Sequence, residues 1–116
     1  MIRVKKLLRY VYHKSNPYYR EFILKNGLKV NIGVGQLGIP TDITTKAIYA
    51  TNSDNPDDLY DTTYDDDVFE IDTSKINNIW YEDTNVYGKH KHIVTFEDIP
   101  KEAIHLVYEG IGESII

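Results

Sequence analysis

Residues 10–27, YVYHKSNPYYREFILKNG, contain the clearest change of structural period in the chain. Residues 9–13 are rich in aromatic and β-branched side chains, so they predict a strand. Asn16 is a favourable N-cap, and the proline after it suits the first helical position because its missing N–H has no partner there. We therefore predict a helix over 17–26 that ends at Gly27 in the left-handed conformation.

Apolar stretches on the C-terminal side of this helix predict the rest of a sheet. They cover residues 46–51, 68–71, 91–96 and 104–108, with a further short strand or turn over 76–81. One helix followed by several strands is typical of the α+β class with a mostly antiparallel sheet, here expected to be split. The chain has 116 residues, so we expect a single domain over 1–116. The predicted core contains Val11, Phe22, Ile23, Ile48, Phe69, Ile71, Ile93, Val94, Phe96, Ile104 and Leu106.

The composition excludes several classes of protein. The chain has no cysteine, which rules out disulfides, thiolate metal sites and cysteine nucleophiles. No stretch approaches the roughly 20 apolar residues of a membrane helix, and the N-terminus leads into no secretory apolar run. We therefore expect a cytoplasmic protein without a membrane partner.

Charge is unevenly distributed along the chain. Residues 1–29 contain eight Lys and Arg against the single acid Glu21, whereas residues 54–83 contain eleven Asp and Glu against the single base Lys75. Such an asymmetry indicates either a site for an anionic ligand beside an acidic face or two solvated surfaces that attract each other.

Histidines are the candidate catalytic or metal-binding side chains. His13 ends the first predicted strand, and His90 and His92 share one face of a later strand because side chains alternate. Such a pair can bind a metal or supply an acid and a base. The acidic run 65–67 lacks the glycine and the ligand order of a calcium loop, so we predict no metal site.

Three short motifs occur in a fixed order along the chain. They are YHKS over 12–15 before the helix, AIYAT over 47–51 and IPKEAI over 99–104. In this order they resemble the ADP-ribosyltransferase-like superfamily, in which a strand-His motif precedes a helix, an Ile-Tyr strand follows and an Ile-Pro-x-Glu-x-Ile segment comes late. The chain is also similar to small phage proteins that contain Tyr-His-Lys-Ser-Asn-Pro. The resemblance covers residues 9–110.

The resemblance implies that NAD is bound as a substrate. His13 would bind a ribose, the backbone of Lys14 would hold the nicotinamide amide, Ser15 would follow in the same motif, and Tyr49 would stack on nicotinamide. Arg20, with Lys14 or Arg9, would neutralise the pyrophosphate.

The catalytic part of the resemblance is incomplete. The family's glutamate, which anchors the ribose and stabilises the transition state by electrostatics, aligns here with Lys91. The expected catalytic residues are therefore Tyr49, His92 and a late carboxylate, either Glu109 or Glu97. We expect His13 and Tyr49 to face one groove.

Three functions follow as hypotheses. The first is a transferase that moves ADP-ribose from NAD to a protein, nucleic acid or small acceptor. The second is a catalytically inactive module on the same fold that binds a nucleotide or a host protein. The third is a small RNase in which His13 works with His90 or His92 as acid and base.

Overall fold

The computed structural model describes residues 2–30, 47–55, 65–83 and 91–111. In them one α-helix packs on a six-stranded antiparallel sheet, which confirms the predicted α+β class. The six strands join one sheet in the order β4-β5-β2-β1-β3-β6, so the expected split of the sheet is not seen in this part of the chain. The strands are β1 Tyr10–Ser15, β2 Ile48–Thr51, β3 Asp67–Asp72, β4 Tyr81–Glu82, β5 His92–Thr95 and β6 Ile104–Tyr108.

The predicted helix is confirmed. It begins as a 3-10 turn over Pro17–Tyr19 and continues as α1, Arg20–Asn26. The Asn16 side chain accepts a hydrogen bond from the backbone N–H of Tyr18 at 2.9 Å and so satisfies one of the free donors at the start of a helix. Gly27 ends α1 with φ of 81°, and a Cβ there would overlap the backbone that leads into β6.

The core lies between α1 and one face of the sheet. Its side chains come from alternate strand positions and from the helix, and fully burying each large apolar side chain contributes about 1.5–3 kcal/mol. The main members are Val11, Ile23, Leu28, Ile48, Phe69, Ile71 and Ile93. Ile104 and Leu106 are half-buried because β6 is an edge strand.

Two predicted core residues are wrong. Phe96 directly follows Thr95, whose side chain is fully buried on the core side, so alternation turns Phe96 to the other face, where it is 46% exposed. Phe22 is 36% exposed because α1 buries the neighbouring Ile23 instead.

Most strand boundaries shift by one or two residues from the sequence prediction, and the stretch 76–81 keeps only its end, as β4. The glycine-rich stretch 33–38 and His90, a candidate residue from the sequence, lie outside the described residues. No helix in the described part of the chain is long and apolar enough to cross a membrane.

Candidate functional site

His13 is a buried histidine with a fixed tautomer. Its side chain lies on the core face of β1, and Nδ1 is 2.7 Å from the backbone oxygen of Tyr49. Because a carbonyl oxygen only accepts, Nδ1 carries the hydrogen. Burial lowers the pKa of His13, and the hydrogen bond to Tyr49 offsets only part of that effect. His13 is therefore neutral at pH 7 and bridges β1 to β2.

The expected shared groove is not formed. The register pairs Tyr12 with Thr51, so Tyr49, two residues before Thr51, shares a face with Tyr12. His13, next to Tyr12 in β1, points to the opposite face. Lys14 lies on the same side as Tyr49. The sheet therefore separates the side chains of His13 and Tyr49.

Arg20 is occupied by an ion-pair network at the start of α1. It donates two hydrogen bonds to Asp67, at 2.8 and 2.9 Å, and contacts Glu109 at 3.1 Å. Asp67 is fully buried and also accepts the N–H of Gly110 at 2.8 Å. The hydrogen bonds to Asp67 raise the pKa of Arg20. Ser15 is buried opposite Asp67.

The two late carboxylates are engaged in separate places. Glu109 pairs with Arg20, as above. Glu97 accepts the backbone N–H of Ile79 at 3.4 Å, just before β4. The structure thus joins Arg20 to Glu109 but gives neither carboxylate a hydrogen bond to His13. Arg9, directly before β1, pairs with Asp72 of β3 at 3.3 Å.

His92 lies in a different place from His13, at the start of β5. Here the N-terminal segment 2–8 pairs with the β4 edge through hydrogen bonds from Val4 to Trp80 and from Glu82 to Ile2, and then crosses to β1. The crossing borders an open cavity of about 880 Å³ at the ends of β2, β4 and β5. We call it the lysine cavity. Among the expected site residues that the structure describes, His92 lies in the lining of this cavity.

The lining of the lysine cavity combines basic, acidic and apolar side chains. Its basic side chains are Lys5, Lys6, Lys91 and His92, its acidic ones are Asp54, Glu82 and Asp83, and its apolar ones are Ile2, Val4, Leu8 and Ile93. The three lysines are exposed, so their ammonium groups are hydrated and accessible. A cavity of this size falls within the range of small-molecule sites.

Asn52 fixes the shape of the lysine cavity. Its Oδ1 accepts the N–H of Leu8 and its Nδ2 donates to the carbonyl of Lys6, each at 2.9 Å, while its own N–H donates to Lys91 at 2.8 Å. The side chain is buried. No local signal in the sequence marks Asn52, because its side-chain partners lie 44 to 46 positions away in the chain.

The acidic side chains form no metal site in the part of the chain that the structure describes. No three His, Asp or Glu groups there are close enough together to hold an ion. Asp66, in the predicted acidic run, has a raised pKa, chiefly because burial disfavours its charged form, against the attraction of Lys14.

No protein-family model, curated protein or solved structure matches this chain. The resemblance to ADP-ribosyltransferases therefore stays a prediction.

Proposed function

We propose that this chain is a nucleotide-binding module that takes NAD or a related nucleotide in the lysine cavity and transfers no ADP-ribose. One observation carries the proposal: three accessible lysines and a histidine surround a cavity of about 880 Å³ that also has an apolar wall. Lysine is a common ligand of phosphate groups, and an apolar wall suits a base or a ribose.

The mixed charge of the lining suits the two polar parts of a nucleotide. Phosphate oxygens accept hydrogen bonds, so they bind beside Lys6 and Lys91. Ribose hydroxyls donate hydrogen bonds, and the carboxylates of Asp54 and Glu82 accept them. Inorganic phosphate lacks the ribose and the base, so we expect it to bind more weakly than ADP-ribose.

The arrangement of the other expected site residues favours binding over transfer. Transfer of ADP-ribose develops positive charge on the ribose, which a nearby carboxylate must stabilise. Glu109 instead neutralises Arg20, and His13 is buried on the face opposite to Tyr49. The ADP-ribosyltransferase-like fold itself remains part of this proposal, and the order of β1, α1 and β2 supports it.

Calorimetric titration of the whole chain with ADP-ribose and with NAD tests the proposal. We expect saturable binding that weakens about fivefold in Lys6→Ala and in Lys91→Ala, since an exposed charge contact contributes up to about 1 kcal/mol. The double variant should lose about 25-fold if the two lysines act independently. Lys25→Ala removes an equally exposed lysine from α1 and should leave the affinity unchanged.

Two outcomes would contradict the proposal. If neither ADP-ribose nor NAD binds, the proposed function is wrong. If Lys25→Ala loses as much affinity as Lys6→Ala or Lys91→Ala, binding depends on the net charge of the chain and not on the lysine cavity. Chromatographic detection of nicotinamide released from NAD tests the catalytic alternative. We expect none; release that disappears in Glu109→Gln would show that the chain cleaves NAD, with water or another acceptor taking the ADP-ribose, and would contradict a purely binding role.

A further inference from the structure

An aromatic patch lies on the sheet face opposite to α1. Tyr49 and Tyr81 each stand directly across from Val94, which places all three on one face. Phe96, two residues beyond Val94, shares that face, and its ring centre is 5.8 Å from that of Tyr81. We define the aromatic patch as Tyr49, Tyr81, Phe96 and the central Val94.

The aromatic patch is open to solvent. Tyr49 is 39% exposed and Phe96 is 46% exposed, while Val94 beneath them is buried. These rings do not pack in the hydrophobic core, which lies on the other face of the sheet. Neighbouring exposed aromatic rings on one face of a sheet are typical of a binding surface.

Two basic residues flank the patch, and one of them connects it to the lysine cavity. His92 precedes Val94 by two residues on the same face and also lines the lysine cavity. Lys14 lies on this face of the neighbouring strand, on the other side of Tyr49. A ligand that leaves the cavity past His92 therefore meets aromatic rings next, and the ammonium group of Lys14 lies beyond them.

We propose that the aromatic patch stacks the bases of a single-stranded nucleic acid whose phosphate and ribose occupy the lysine cavity. The inference rests on the proposed function, and it extends the ligand from a mononucleotide to a strand. Exposed aromatic side chains on a sheet stack unpaired bases, and flanking basic groups follow the backbone. Lys14 beside the rings and the three lysines of the adjoining lysine cavity complement a phosphate backbone, so the combination favours a nucleic acid over a protein partner.

Fluorescence anisotropy with a labelled oligouridine of about ten nucleotides tests the inference. The whole chain should bind it in a salt-dependent manner, since phosphate contacts release counterions. Phe96→Ala and Tyr49→Ala should each weaken binding by about tenfold. Phe96→Leu keeps apolar area but removes the ring, so it should bind nearly as weakly as Phe96→Ala. Tyr18→Ala removes a ring that is 85% exposed beside α1 and serves as the matched control.

The outcomes separate the two proposals. Calorimetry with ADP-ribose reports on the lysine cavity alone, and Phe96→Ala should leave that affinity unchanged. Binding of ADP-ribose without binding of the oligonucleotide would overturn the inference and leave the proposed function intact. Wild-type affinity for the oligonucleotide in Phe96→Leu would overturn the stacking. A concentration-dependent dimer in sedimentation that Phe96→Ala dissociates, with no oligonucleotide bound, would show that the patch is a protein interface instead.

Discussion

Replacing Asn52 by alanine removes the side chain that fixes the segment 2–8 over the end of β2. Two hydrogen bonds of 2.9 Å disappear, one with the N–H of Leu8 and one with the carbonyl of Lys6. Each hydrogen bond contributes about 1 kcal/mol net, and the buried space that the amide leaves adds to the loss. We expect the free energy of unfolding to fall by about 2–3 kcal/mol, a large part of the 5–15 kcal/mol typical of a domain.

Urea unfolding followed by the fluorescence of Trp80, the single tryptophan and a buried one, measures this loss. The slope against urea should stay unchanged, because the surface exposed on unfolding does not change. Affinity for ADP-ribose should fall as well, since Lys5 and Lys6 lose their fixed position. Asn26→Ala removes one exposed hydrogen bond, to the carbonyl of Phe22, and should change the stability by less than about 0.5 kcal/mol. Equal stabilities for the two variants would refute the anchoring role of Asn52.

Three further predictions concern the ionisable groups. Arg20→Ala leaves Asp67 buried without its guanidinium, so urea unfolding should show a loss of about 3 kcal/mol; a loss below about 1 kcal/mol would contradict it. Burial lowers the pKa of His13 in the folded chain, so as the pH falls through 6.5 the imidazole is protonated in the unfolded chain before it is in the folded one. The free energy of unfolding should therefore decrease below pH 6.5, by up to about 1.4 kcal/mol per pH unit. His13→Gln should lack that decrease, and an identical pH profile would refute it. A hydrogen bond from Ser74, with a smaller effect from Arg9, lowers the pKa of Asp72 from 3.8 to about 2. The ionised carboxylate therefore stabilises the fold above pH 3.8, and this stabilisation is lost as the pH falls towards 2. Ser74→Ala should raise that pKa in a carboxyl NMR titration, and an unchanged value would show that Ser74 has no part in it.

The helix could be predicted because its signals are local. Asn16 caps it, a proline opens it and Gly27 ends it, and none of these effects depends on distant residues. The antiparallel α+β class likewise follows from one helix and several short strands. These parts of the prediction are confirmed.

The faces of the sheet could not be predicted in the same way. Alternation fixes which residues share a face within one strand, but only the pairing between strands fixes which faces coincide. Because Tyr12 pairs with Thr51, the side chains of His13 and Tyr49 lie on opposite faces of the sheet. Neither strand contains a residue that would predict this register. Alternation within residues 91–96 could have predicted the exposure of Phe96. Ile93 and Phe96 are three positions apart in one strand, so their side chains lie on opposite faces.

The lysine cavity was beyond sequence reasoning because four separate segments build it. Residues 2–8, 52–54, 82–83 and 91–93 meet only through strand pairing and the hydrogen bonds of Asn52. The basic N-terminal third did indicate an anionic ligand, but the expected cationic site residue Arg20 is neutralised by Asp67 and Glu109. The lysines at the N-terminus line the cavity instead.

A titration of the ¹⁵N-labelled chain with ADP-ribose, followed by amide chemical shifts, tests most directly where a nucleotide binds. Binding in the lysine cavity predicts that the largest shifts fall on Lys6, Ser53, Lys91 and His92, and that the amides around His13 stay where they are. Shifts that centre on residues 13–20 instead, or no shifts at all, would contradict the assignment of the cavity as the nucleotide site.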